Sequence, residues 1–463
     1  MCLLIDLDTN IKGRIHIMKK KLITGILMTT MLLTFAACGE VNEGNFSMTS
    51  KSSETSTAQN EGEVTTIMAK NLSAGIEVNE ENLNLAEISE DENDTMNSAV
   101  ADFSIDLMKE SLGEEDGRNV LISAESALYA LAMTGNGAAG ENLSQFEEVL
   151  AGGQSMEMLN GYLANKVSGD EQISLANSIW IRDDEGRIKV NDDFLNINKA
   201  VYDADTFTAP FDDSTLTDIN NWVNDKTEGM IPQIINDVNP EAVMYLINAT
   251  TFDSKWTNEY EDYNILEDET FTNFQGDEEQ VTMLHSEENT LLKGDGVKGF
   301  VRPYDGGKYA FVGILPDENV DLNDYVNSLT GESWLEMYEN RTEEKVIAEI
   351  PEFSTDYDTY LNFPLQNMGL KDAFTEGADF SNMAQTSSGV LYIGNVIHKT
   401  HIEVDREGTK AAAVTAIEMT DECIMEPDEE IPEYIVLDRP FLYAIVESDT
   451  GLPIFMGTLN TCK

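Results

Sequence analysis

Residues 403–422 read Glu-Val-Asp-Arg-Glu-Gly-Thr-Lys-Ala-Ala-Ala-Val-Thr-Ala-Ile-Glu-Met-Thr-Asp-Glu. Small side chains crowd residues 408–416, and an acidic, proline-containing stretch continues as far as Pro432. An alanine-rich surface helix would account for the alanines alone. If the segment is a strand, its side chains alternate between two faces. One face then carries Thr409, Ala411, Ala413, Thr415, Ile417 and Met419, and the other carries Lys410, Ala412, Val414, Ala416, Glu418 and Thr420. All charges between residues 409 and 420 fall on the second face, so the first can be buried.

The charge of the whole chain excludes several classes of partner. The chain has 463 residues, with 86 acidic against 28 basic side chains and a formal net charge of −58 at pH 7. Phosphate neutralisation needs Lys and Arg, so an electrostatically driven nucleic-acid binder is excluded. A basic helix lying on a membrane surface is equally disfavoured. Four Cys in a chain of this length do not make a disulfide scaffold.

The first 37 residues have the pattern of a secretory signal. A basic head at residues 18–21 precedes an apolar run at residues 22–37. That run is short of the roughly 20 apolar residues that a membrane-spanning helix needs. Its end, Phe35-Ala36-Ala37-Cys38-Gly39, resembles a bacterial lipoprotein box in which Cys38 becomes the lipidated first residue, with Phe35 replacing the usual aliphatic side chain. Residues 1–17 precede this head, and a start at Met18 fits the pattern better.

Composition divides the remaining chain into two parts. Residues 38–95 are rich in Ser, Thr, Asn and Glu and poor in aromatic side chains. Such a segment cannot bury enough apolar surface to offset its chain entropy, which predicts a disordered tether. Residues 96–463 show the apolar periodicities of folded structure without an internal repeat or a Pro/Gly-rich linker, and are predicted to form one domain.

Helices are predicted ahead of strands in this domain. One helix follows Ser98 as its cap, and a second spans residues 119–134. Strands are predicted at residues 174–181, 243–252, 309–315, 346–350, 391–404, 441–446 and 454–459. Because helices and strands do not alternate regularly, the pattern predicts the α+β class.

Motifs that carry catalytic chemistry are scarce in this domain. Its histidines are His285, His398 and His401, and no G-x-S-x-G elbow occurs. No Cys/His or His/carboxylate spacing predicts a metal site, and nothing indicates a cofactor. Residues 135–140 match G-x-G-x-x-G but follow a predicted helix instead of a strand, which indicates a helix C-terminus and a turn. The thiols of Cys423 and Cys462 have no nearby His. The sequence therefore predicts that the protein is not an enzyme.

The stretch around Gly408 resembles the reactive-loop hinge of the serpin family, usually written E-x-G-T-x-A-A-A-x-T. We call residues 407–415, Glu-Gly-Thr-Lys-Ala-Ala-Ala-Val-Thr, the hinge; Glu407 stands directly before the glycine and Lys410 replaces the usual Glu. Further serpin motifs occur in the right order. They are residues 119–126 (with Ala124 for the usual Pro), 220–231, 248–256 (Asn-Ala-Thr-Thr-Phe-Asp-Ser-Lys-Trp), 437–446 and 453–457.

The resemblance implies a fold and a mode of action. In the serpin fold, helices pack on a large central β-sheet and a reactive loop is exposed. In inhibitory serpins a protease cleaves this loop and forms an acyl-enzyme, and the freed loop inserts into the central sheet and distorts the protease. Insertion of this kind releases stored strain. It requires a strand with one uncharged face, which the alternation in the loop supplies, and this favours an inhibitor over a non-inhibitory relative.

The resemblance also implies where the loop is cut. Counting the usual hinge length from Gly408 places the scissile bond between Glu422 and Cys423. The loop is several residues longer on its C-terminal side than in many relatives, so Cys423, Ile424 and Met425 are alternatives for the residue in the protease pocket. Glu422 would suit a glutamate-preferring protease, whereas the alternatives would suit elastase-like or subtilisin-like proteases.

Further residues resemble those that control opening of the serpin central sheet. By motif they are Ser123, Ser126, Asn248 and His398, and Trp256 resembles the aromatic residue where the loop enters the sheet. A histidine on a strand is ordinarily a core residue whose hydrogen bonds are satisfied. A buried hydrogen-bonded cluster that holds strands together fulfils both descriptions.

The sequence thus predicts a monomeric protease inhibitor on the outer surface of a bacterial cell. It would form a covalent complex with a target serine protease, touch the membrane only through the lipid on Cys38, and require neither a cofactor nor nucleic acid. Two alternatives stay open. One is a serpin-fold binding or carrier protein whose loop is cleaved without trapping, and the other is an adhesin-like surface lipoprotein, which leaves the hinge unexplained.

Overall fold

The structure is a computed structural model that describes residues 67–79, 83, 85–113, 117–166, 172–183, 186–239, 241–387, 389–409 and 431–463. These residues belong to one compact unit, residues 64–463. The predicted signal, the lipidation residue Cys38 and residues 410–430 lie outside the described residues. Within the described ranges, no helix has both the length and the apolar character needed to span a membrane.

The described residues form nine α-helices, six of which precede residue 227. They are α1 Glu90–Gly113, α2 Ala124–Gly135, α3 Gly140–Ala151, α4 Met156–Lys166, α5 Asp192–Tyr202, α6 Asp213–Lys226, α7 Leu322–Ser328, α8 Gly331–Glu339 and α9 Asn362–Met368. Short 3-10 turns occur at Asp262–Asn264 and Asp372–Phe374. The predicted concentration of helices early in the domain is confirmed.

The first helix begins earlier than predicted because a different serine caps it. The Glu92 carboxylate accepts the backbone N–H of Ser89 at 2.9 Å, and the Ser89 hydroxyl accepts the N–H of Glu92 at 3.4 Å. These reciprocal bonds satisfy backbone donors that a helix start leaves free. Ser98, the predicted cap, lies inside α1 and donates its hydroxyl to the Asp94 carbonyl.

The predicted helix at residues 119–134 is partly wrong. Residues Val120–Ile122 form a strand, and Ser123 keeps extended backbone while its hydroxyl accepts the N–H of Ser126 and caps α2. The apolar run before the cap cannot distinguish a buried strand from a helix by composition. The helix ends at Gly135 and α3 starts at Gly140, so the glycine motif between them is a turn, as predicted.

Twenty strands form four sheets in the part of the chain that the structure describes. They are β1 Lys70–Asn71, β2 Val120–Ile122, β3 Ile173–Arg182, β4 Ile188–Val190, β5 Asp205–Ala209, β6 Met244–Phe252, β7 Ser254–Lys255, β8 Ile265–Thr272, β9 Glu278–Glu288, β10 Leu291–Gly294, β11 Val297–Pro303, β12 Tyr309–Pro316, β13 Val346–Pro351, β14 Phe353–Tyr360, β15 Ala384–Thr386, β16 Asn395–Val404, β17 Gly408–Thr409, β18 Glu433–Val436, β19 Phe441–Glu447 and β20 Pro453–Leu459. All seven predicted strands are present, although the one predicted at residues 391–404 begins only at Asn395.

The central sheet has eight strands in the order β1-β5-β3-β6-β16-β17-β7, with β14 paired to β16. A second sheet has the order β10-β11-β12-β19-β20-β2, a third β18-β13-β9-β8, and β15 pairs with β4. Strand β6 runs antiparallel to β3 and parallel to β16. This mixture of pairings, with helices packed around the sheets, confirms the α+β class.

Apolar side chains cover both faces of the central sheet. All nine residues of β6 are buried. On one face, Trp180 stacks on Phe207 with ring centroids 4.1 Å apart, and Trp222 of α6 packs edge-on against Phe207. The main core, which includes α2 and β20, lies on the other face. A strand covered on both faces reads as a nearly continuous apolar run, and for this reason β6 was predictable.

The boundary predicted at residue 95 is wrong for the described residues from 67 onward. Strand β1 pairs with β5 at the edge of the central sheet. The N–H groups of Met68 and Ala69 donate to the two carboxylate oxygens of Asp218 at 2.9 and 2.6 Å. Asp218 lies in α6 and is only 3% exposed. The polar composition misled because this segment is held by hydrogen bonds to other elements, which composition does not reveal.

Candidate functional site

The hinge begins as a short strand between β7 and the end of β16. Thr409 pairs with Val404 of β16 on one side and with Ser254 of β7 on the other, and Gly408 pairs with Lys255. Thr409 is fully buried, on the face that the period-two alternation predicts. The first residues of the hinge are therefore already part of the central sheet.

A tight turn at residues 405–408 joins β16 to β17. The Asp405 carboxylate oxygen Oδ1 accepts the N–H of Glu407 at 2.7 Å and the N–H of Gly408 at 3.0 Å. The N–H of Asp405 donates to the Gly408 carbonyl at 3.0 Å. An aspartate that bonds to backbone donors two residues ahead is a common way to close a turn. One side chain thus organises the whole connection.

Two stacked aromatic residues, Trp256 and Tyr304, bind the turn and the start of the hinge at residues 405–409. We call this binding site the seat of the hinge. The Trp256 indole N–H donates to the Asp405 carbonyl at 2.9 Å, and the Trp256 backbone N–H donates to the Glu407 carbonyl at 2.9 Å. The Trp256 ring stacks on Tyr304 with centroids 4.5 Å apart. The Tyr304 hydroxyl is hydrogen-bonded to the Thr409 hydroxyl at 2.5 Å. The start of the hinge is therefore held by a hydrogen bond to the Glu407 carbonyl and by a hydrogen bond to the Thr409 hydroxyl.

A buried cation supports the aromatic pair from behind. The Arg302 guanidinium lies 4.9 Å from the Trp256 ring centroid and 4.0 Å from that of Tyr260. It forms an ion pair with Glu288, and both side chains are less than 10% exposed. Burial raises the pKa of Glu288, and Arg302 opposes that rise. Breaking such a pair would leave an uncompensated buried charge, so the support is rigid.

Gly408→Ala is expected to displace the hinge from its seat. A Cβ at residue 408 would lie 2.2 Å from the Ser254 carbonyl oxygen and 2.7 Å from the Lys255 Cα, so β17 and β7 must separate. Amide hydrogen exchange at residues 405–409 should then rise by at least about tenfold, because the strand pairing that protects these amides is lost. The matched control is Gly113→Ala, where an added Cβ meets nothing within 4 Å. Unchanged amide exchange in Gly408→Ala would contradict the pairing of Gly408 with β7.

A second group of polar side chains lies buried on one face of the central sheet. Asn177, Asn248 and His398 stand side by side on β3, β6 and β16. Ser123 and Ser126 approach them from the start of α2. We call these five residues the polar cluster. All but Asn177 are fully buried.

Hydrogen bonds join every member of the polar cluster. The Asn248 amide donates to Asn177 Oδ1 at 2.7 Å and to the Ser126 hydroxyl at 2.5 Å. The N–H of Ser123 donates to His398 Nε2 at 3.1 Å, and the Ser123 hydroxyl donates to the Ile454 carbonyl at 3.1 Å. The cluster therefore ties α2, three strands of the central sheet and β20 into one network.

The tautomer of His398 follows from these partners. Because Nε2 accepts from Ser123, the ring proton lies on Nδ1, which donates to Asn248 Oδ1. Burial lowers the pKa of His398 to about 3, so the ring is neutral at physiological pH. The Asn248–His398 bond directly bridges β6 and β16, which are neighbours in the central sheet.

The structure separates the predicted residues into two groups. Ser123, Ser126, Asn248 and His398 meet in the polar cluster, whereas Trp256 lies with Glu407, Gly408 and Thr409 at the seat of the hinge. The remaining hinge residues Ala411, Ala412, Ala413 and Thr415, and the scissile-bond candidates Glu422, Cys423, Ile424 and Met425, lie outside the described residues.

Sequence reasoning missed three residues of these groups. Asn177 interrupts the apolar pattern of β3, which is a weak signal for a buried polar contact. Asp405 precedes Gly408 by three residues, a spacing typical of a turn. Tyr304 gives no local signal, because its partner Thr409 is 105 residues away in the chain.

The histidine and thiol groups outside the two groups do not form a catalytic arrangement in the described ranges. No three His, Cys, Asp or Glu side chains come together there as a metal site. His285 pairs with Glu349, and His401 pairs with Asp356, across neighbouring strands. Burial raises the pKa of Cys462 to about 12, so its thiol is protonated at neutral pH. A thiol in this state is a poor nucleophile.

Comparison with known sequences finds one family. Residues 98–462 match the family model described as "Serpin (serine protease inhibitor)". Serpin B6 of Pongo abelii is 30% identical over 387 residues, which are 80% of this chain and 100% of the relative. An uncharacterized serpin-like protein of Thermococcus kodakarensis is 28% identical over 79% of this chain and 85% of its own length.

Comparison with solved structures agrees. The native state of tengpin, a thermophilic serpin, is 42% identical with a TM-score of 0.77, covering 85% of this chain and 99% of tengpin. The latent state of tengpin gives a TM-score of 0.69 over 82% of this chain and 100% of that one. Thyroxine-binding globulin complexed with thyroxine, 23% identical, shares the fold with a TM-score of 0.69 over 80% of this chain and 99% of the globulin.

Proposed function

The chain belongs to the serpin family, whose members mostly inhibit proteases, and we propose that it is a suicide-substrate inhibitor of extracellular serine proteases. A protease cleaves the reactive loop and becomes esterified to its new carboxyl end. The freed loop then inserts between β6 and β16 and carries the protease with it. The protein supplies no catalytic group of its own, and its energy source is the strain of the native sheet.

One observation carries this proposal: the hinge is in register with both of its future neighbours. In an antiparallel ladder, each step forward on one strand is a step backward on the other. Continued from Thr409, the ladder with β16 brings residue 415 opposite His398, and the ladder with β7 and β6 brings residue 415 opposite Asn248. Asn248 and His398 are already partners in the β6–β16 pairing. The strand can therefore lengthen without a slip in register on either side.

The alternation of the loop fits this continuation. Residues 411, 413, 415, 417 and 419 share the parity of Thr409, which is buried, and all are uncharged. Continued by one residue, the same ladder would place residue 410 on the outward face, opposite Glu403 of β16, which is exposed. Lys410, which replaces the usual Glu of the family, would then form a cross-strand pair of opposite charge. The departure from the family pattern thus suits the acidic neighbour.

The polar cluster supplies the resistance that keeps the loop out. In the structure β6 and β16 are hydrogen-bonded directly to each other from Asn395 to Thr400. An intervening strand would move them from about 4.8 Å to about 9.6 Å apart. The Asn248–His398 bond cannot span that distance. It must break before the loop can fill the gap.

We also propose the setting in which the inhibitor works. Lipidation of Cys38 would hold it on the outer surface of a bacterial cell as a monomer, with the residues before 67 as its tether. We propose a cut between Glu422 and Cys423, which would present Glu422 to a glutamate-preferring protease. If the register of the loop moves, Cys423, Ile424 or Met425 would enter the pocket instead and would suit an elastase-like or subtilisin-like protease. The strongly acidic chain would favour the approach of basic proteases. No cofactor is required for any of these steps.

A non-inhibitory carrier on the same fold is the alternative. Such a protein has no use for an uncharged alternate face along the loop or for a hinge matched in register to two strands. Both features are needed where the loop inserts, and they therefore favour the inhibitor.

The experiment is incubation of the protein with a panel of serine proteases, including elastase, subtilisin and a glutamyl endopeptidase. We expect an SDS-stable covalent complex with at least one protease, and mass measurement of the released C-terminal peptide identifies the bond. The same protease with its nucleophilic serine replaced by alanine is the control and should give no complex. If every protease that cuts the loop keeps its activity, the carrier interpretation replaces the inhibitor.

A further inference from the structure

We propose that Asp405 is a positioning residue for loop insertion, because its carboxylate sets the register in which the strand starts. This rests on the proposed inhibitory function. The carboxylate makes no contact with a protease in this scheme. It acts through the turn at residues 405–408, which holds Gly408 and Thr409 where insertion begins.

The geometry of the turn supports a positioning role. A single oxygen, Oδ1 of Asp405, accepts the N–H groups of Glu407 and Gly408 at 2.7 and 3.0 Å. The main chain of Asp405 is held independently, since its carbonyl accepts the Trp256 indole and its N–H bonds to Gly408. Trp256 therefore fixes where the turn sits, and the carboxylate fixes how many residues the turn contains.

The number of residues in the turn decides which face of the loop is buried. Because side chains alternate with period two, a turn longer or shorter by one residue would exchange the two faces of everything that follows. Lys410 would then point into the core, and Thr409 would point outward. The present turn pairs Val404 with Thr409 and places Thr409 in full burial. Asp405 thus selects the register in which no charge enters the sheet.

A strand register that is already formed before cleavage has a kinetic consequence for inhibition. After cleavage, insertion competes with hydrolysis of the acyl-enzyme, and the ratio of the two rates sets how many inhibitor molecules are consumed for each protease trapped. Insertion that starts from a formed two-residue strand avoids the slow step of choosing a register. Losing the two hydrogen bonds that the Asp405 carboxylate accepts should lower the population of the formed turn at residues 405–408 by at least about tenfold.

The test compares Asp405→Ala with Asp405→Asn, which keeps the oxygen acceptor and loses the charge. We expect Asp405→Ala to raise the number of inhibitors consumed per trapped protease by about tenfold, with the rate of loop cleavage unchanged. Asp405→Asn should stay within about twofold of the parent, since an amide oxygen accepts the same two N–H groups. Asp356→Ala, which removes an exposed carboxylate from β14, is the control on the same sheet. If Asp405→Asn behaves like Asp405→Ala, the charge and not the turn is responsible, and the proposal fails.

A measurement without protease separates this proposal from the proposed function. Amide hydrogen exchange at Glu407 and Gly408 should accelerate about tenfold in Asp405→Ala and remain unchanged in Asp405→Asn. If the parent protein traps no protease but exchange changes as expected, the inhibitory function fails while the turn is upheld. If the parent traps protease and neither exchange nor consumption responds to Asp405→Ala, only the role of Asp405 is overturned.

Discussion

Replacing Thr415 by Arg is expected to convert the proposed inhibitor into a substrate that is cut and released. If the register seen at Thr409 is continued during insertion, residue 415 would lie between Asn248 and His398. Its side chain would point to the same face as these two residues, both of which are fully buried. A guanidinium cannot be placed there without losing its hydration, and no acidic member of the polar cluster would compensate it.

The size of the effect follows from where insertion would stop. Residues 410–414 could still enter, but the strand could not pass residue 415, so the protease would be carried only part of the way. Hydrolysis of the acyl-enzyme would then outrun insertion. We expect the number of inhibitors consumed per trapped protease to rise from about one to well above ten, because burying an unpaired charge costs several kcal/mol and each 1.4 kcal/mol is a factor of ten in rate.

The measurement is the fraction of protease trapped against the amount of protein added, together with the melting temperature of the cleaved protein. Cleavage of the parent should raise the melting temperature sharply, whereas cleavage of Thr415→Arg should not. Ala412→Arg is the matched control, because the same register, continued, would turn residue 412 outward, opposite His401 of β16, which is partly exposed. Full inhibition by Thr415→Arg would show that residue 415 does not reach the polar cluster, and the register argument would be wrong.

The hinge could be predicted from sequence because alternation is a property of adjacent residues. Thr409 lies on the buried face, as its position in the alternation requires. The polar cluster was predictable only in part. Three of its members stand in the quoted family motifs and His398 resembles a family position, but Asn177 joins through a contact with Asn248 that spans 71 residues. Tyr304 and Asp405 stand in no quoted family motif. The partner of Tyr304 at the hinge is 105 residues away, whereas the partners of the Asp405 carboxylate are only two and three residues ahead, so only Asp405 had a local signal.

The N-terminal segment shows a different limit of sequence reasoning. Composition measures whether a segment can build a core of its own, and by that measure residues 67–79 cannot. They are ordered by partners elsewhere, since Met68 and Ala69 bond to a carboxylate 150 and 149 residues away. Asp218 is an acidic residue on a polar helix, and nothing local marks it as buried. A backbone-to-side-chain bond of this range has no signature in composition or periodicity.

His398→Ala is expected to remove the side-chain hydrogen bond that holds β6 and β16 together. The substitution leaves the N–H of Ser123 and the Oδ1 of Asn248 buried without their partner. Each unsatisfied group costs about 1–3 kcal/mol, so we expect a loss of about 3 kcal/mol from the native state. The proposed form with an inserted loop would not depend on this bond, because an intervening strand separates β6 from β16. The balance therefore shifts toward spontaneous insertion or polymerisation.

Heating followed by native electrophoresis and an inhibition assay measures this shift. We expect His398→Ala to lose monomer and inhibitory activity at temperatures that the parent withstands. His401→Ala is the matched control, because His401 lies on the same strand, is partly exposed and pairs with Asp356 at the surface. Equal monomer yield and equal inhibition for His398→Ala and the parent after heating would show that the Asn248–His398 hydrogen bond does not keep β6 and β16 together.

The acid side of the stability profile gives an independent reading of the same residue. The native pKa of His398 is about 3, and an unfolded histidine titrates near its usual 6.5, so below that pH the unfolded chain binds more protons than the native one. The contribution of His398 to the free energy of unfolding is complete above pH 6.5 and falls by up to about 1.4 kcal/mol per pH unit as the pH drops toward 3.

Glu125 has the opposite effect on the stability profile. Burial raises the pKa of Glu125 from 4.5 to about 7, so its contribution to stability fades as the pH rises through that interval. Glu125 is common to the parent and to His398→Ala, so the difference between their urea midpoints isolates His398. That difference should shrink steadily below pH 6.5, and a difference independent of pH would mean that the native ring takes up a proton as easily as the unfolded one.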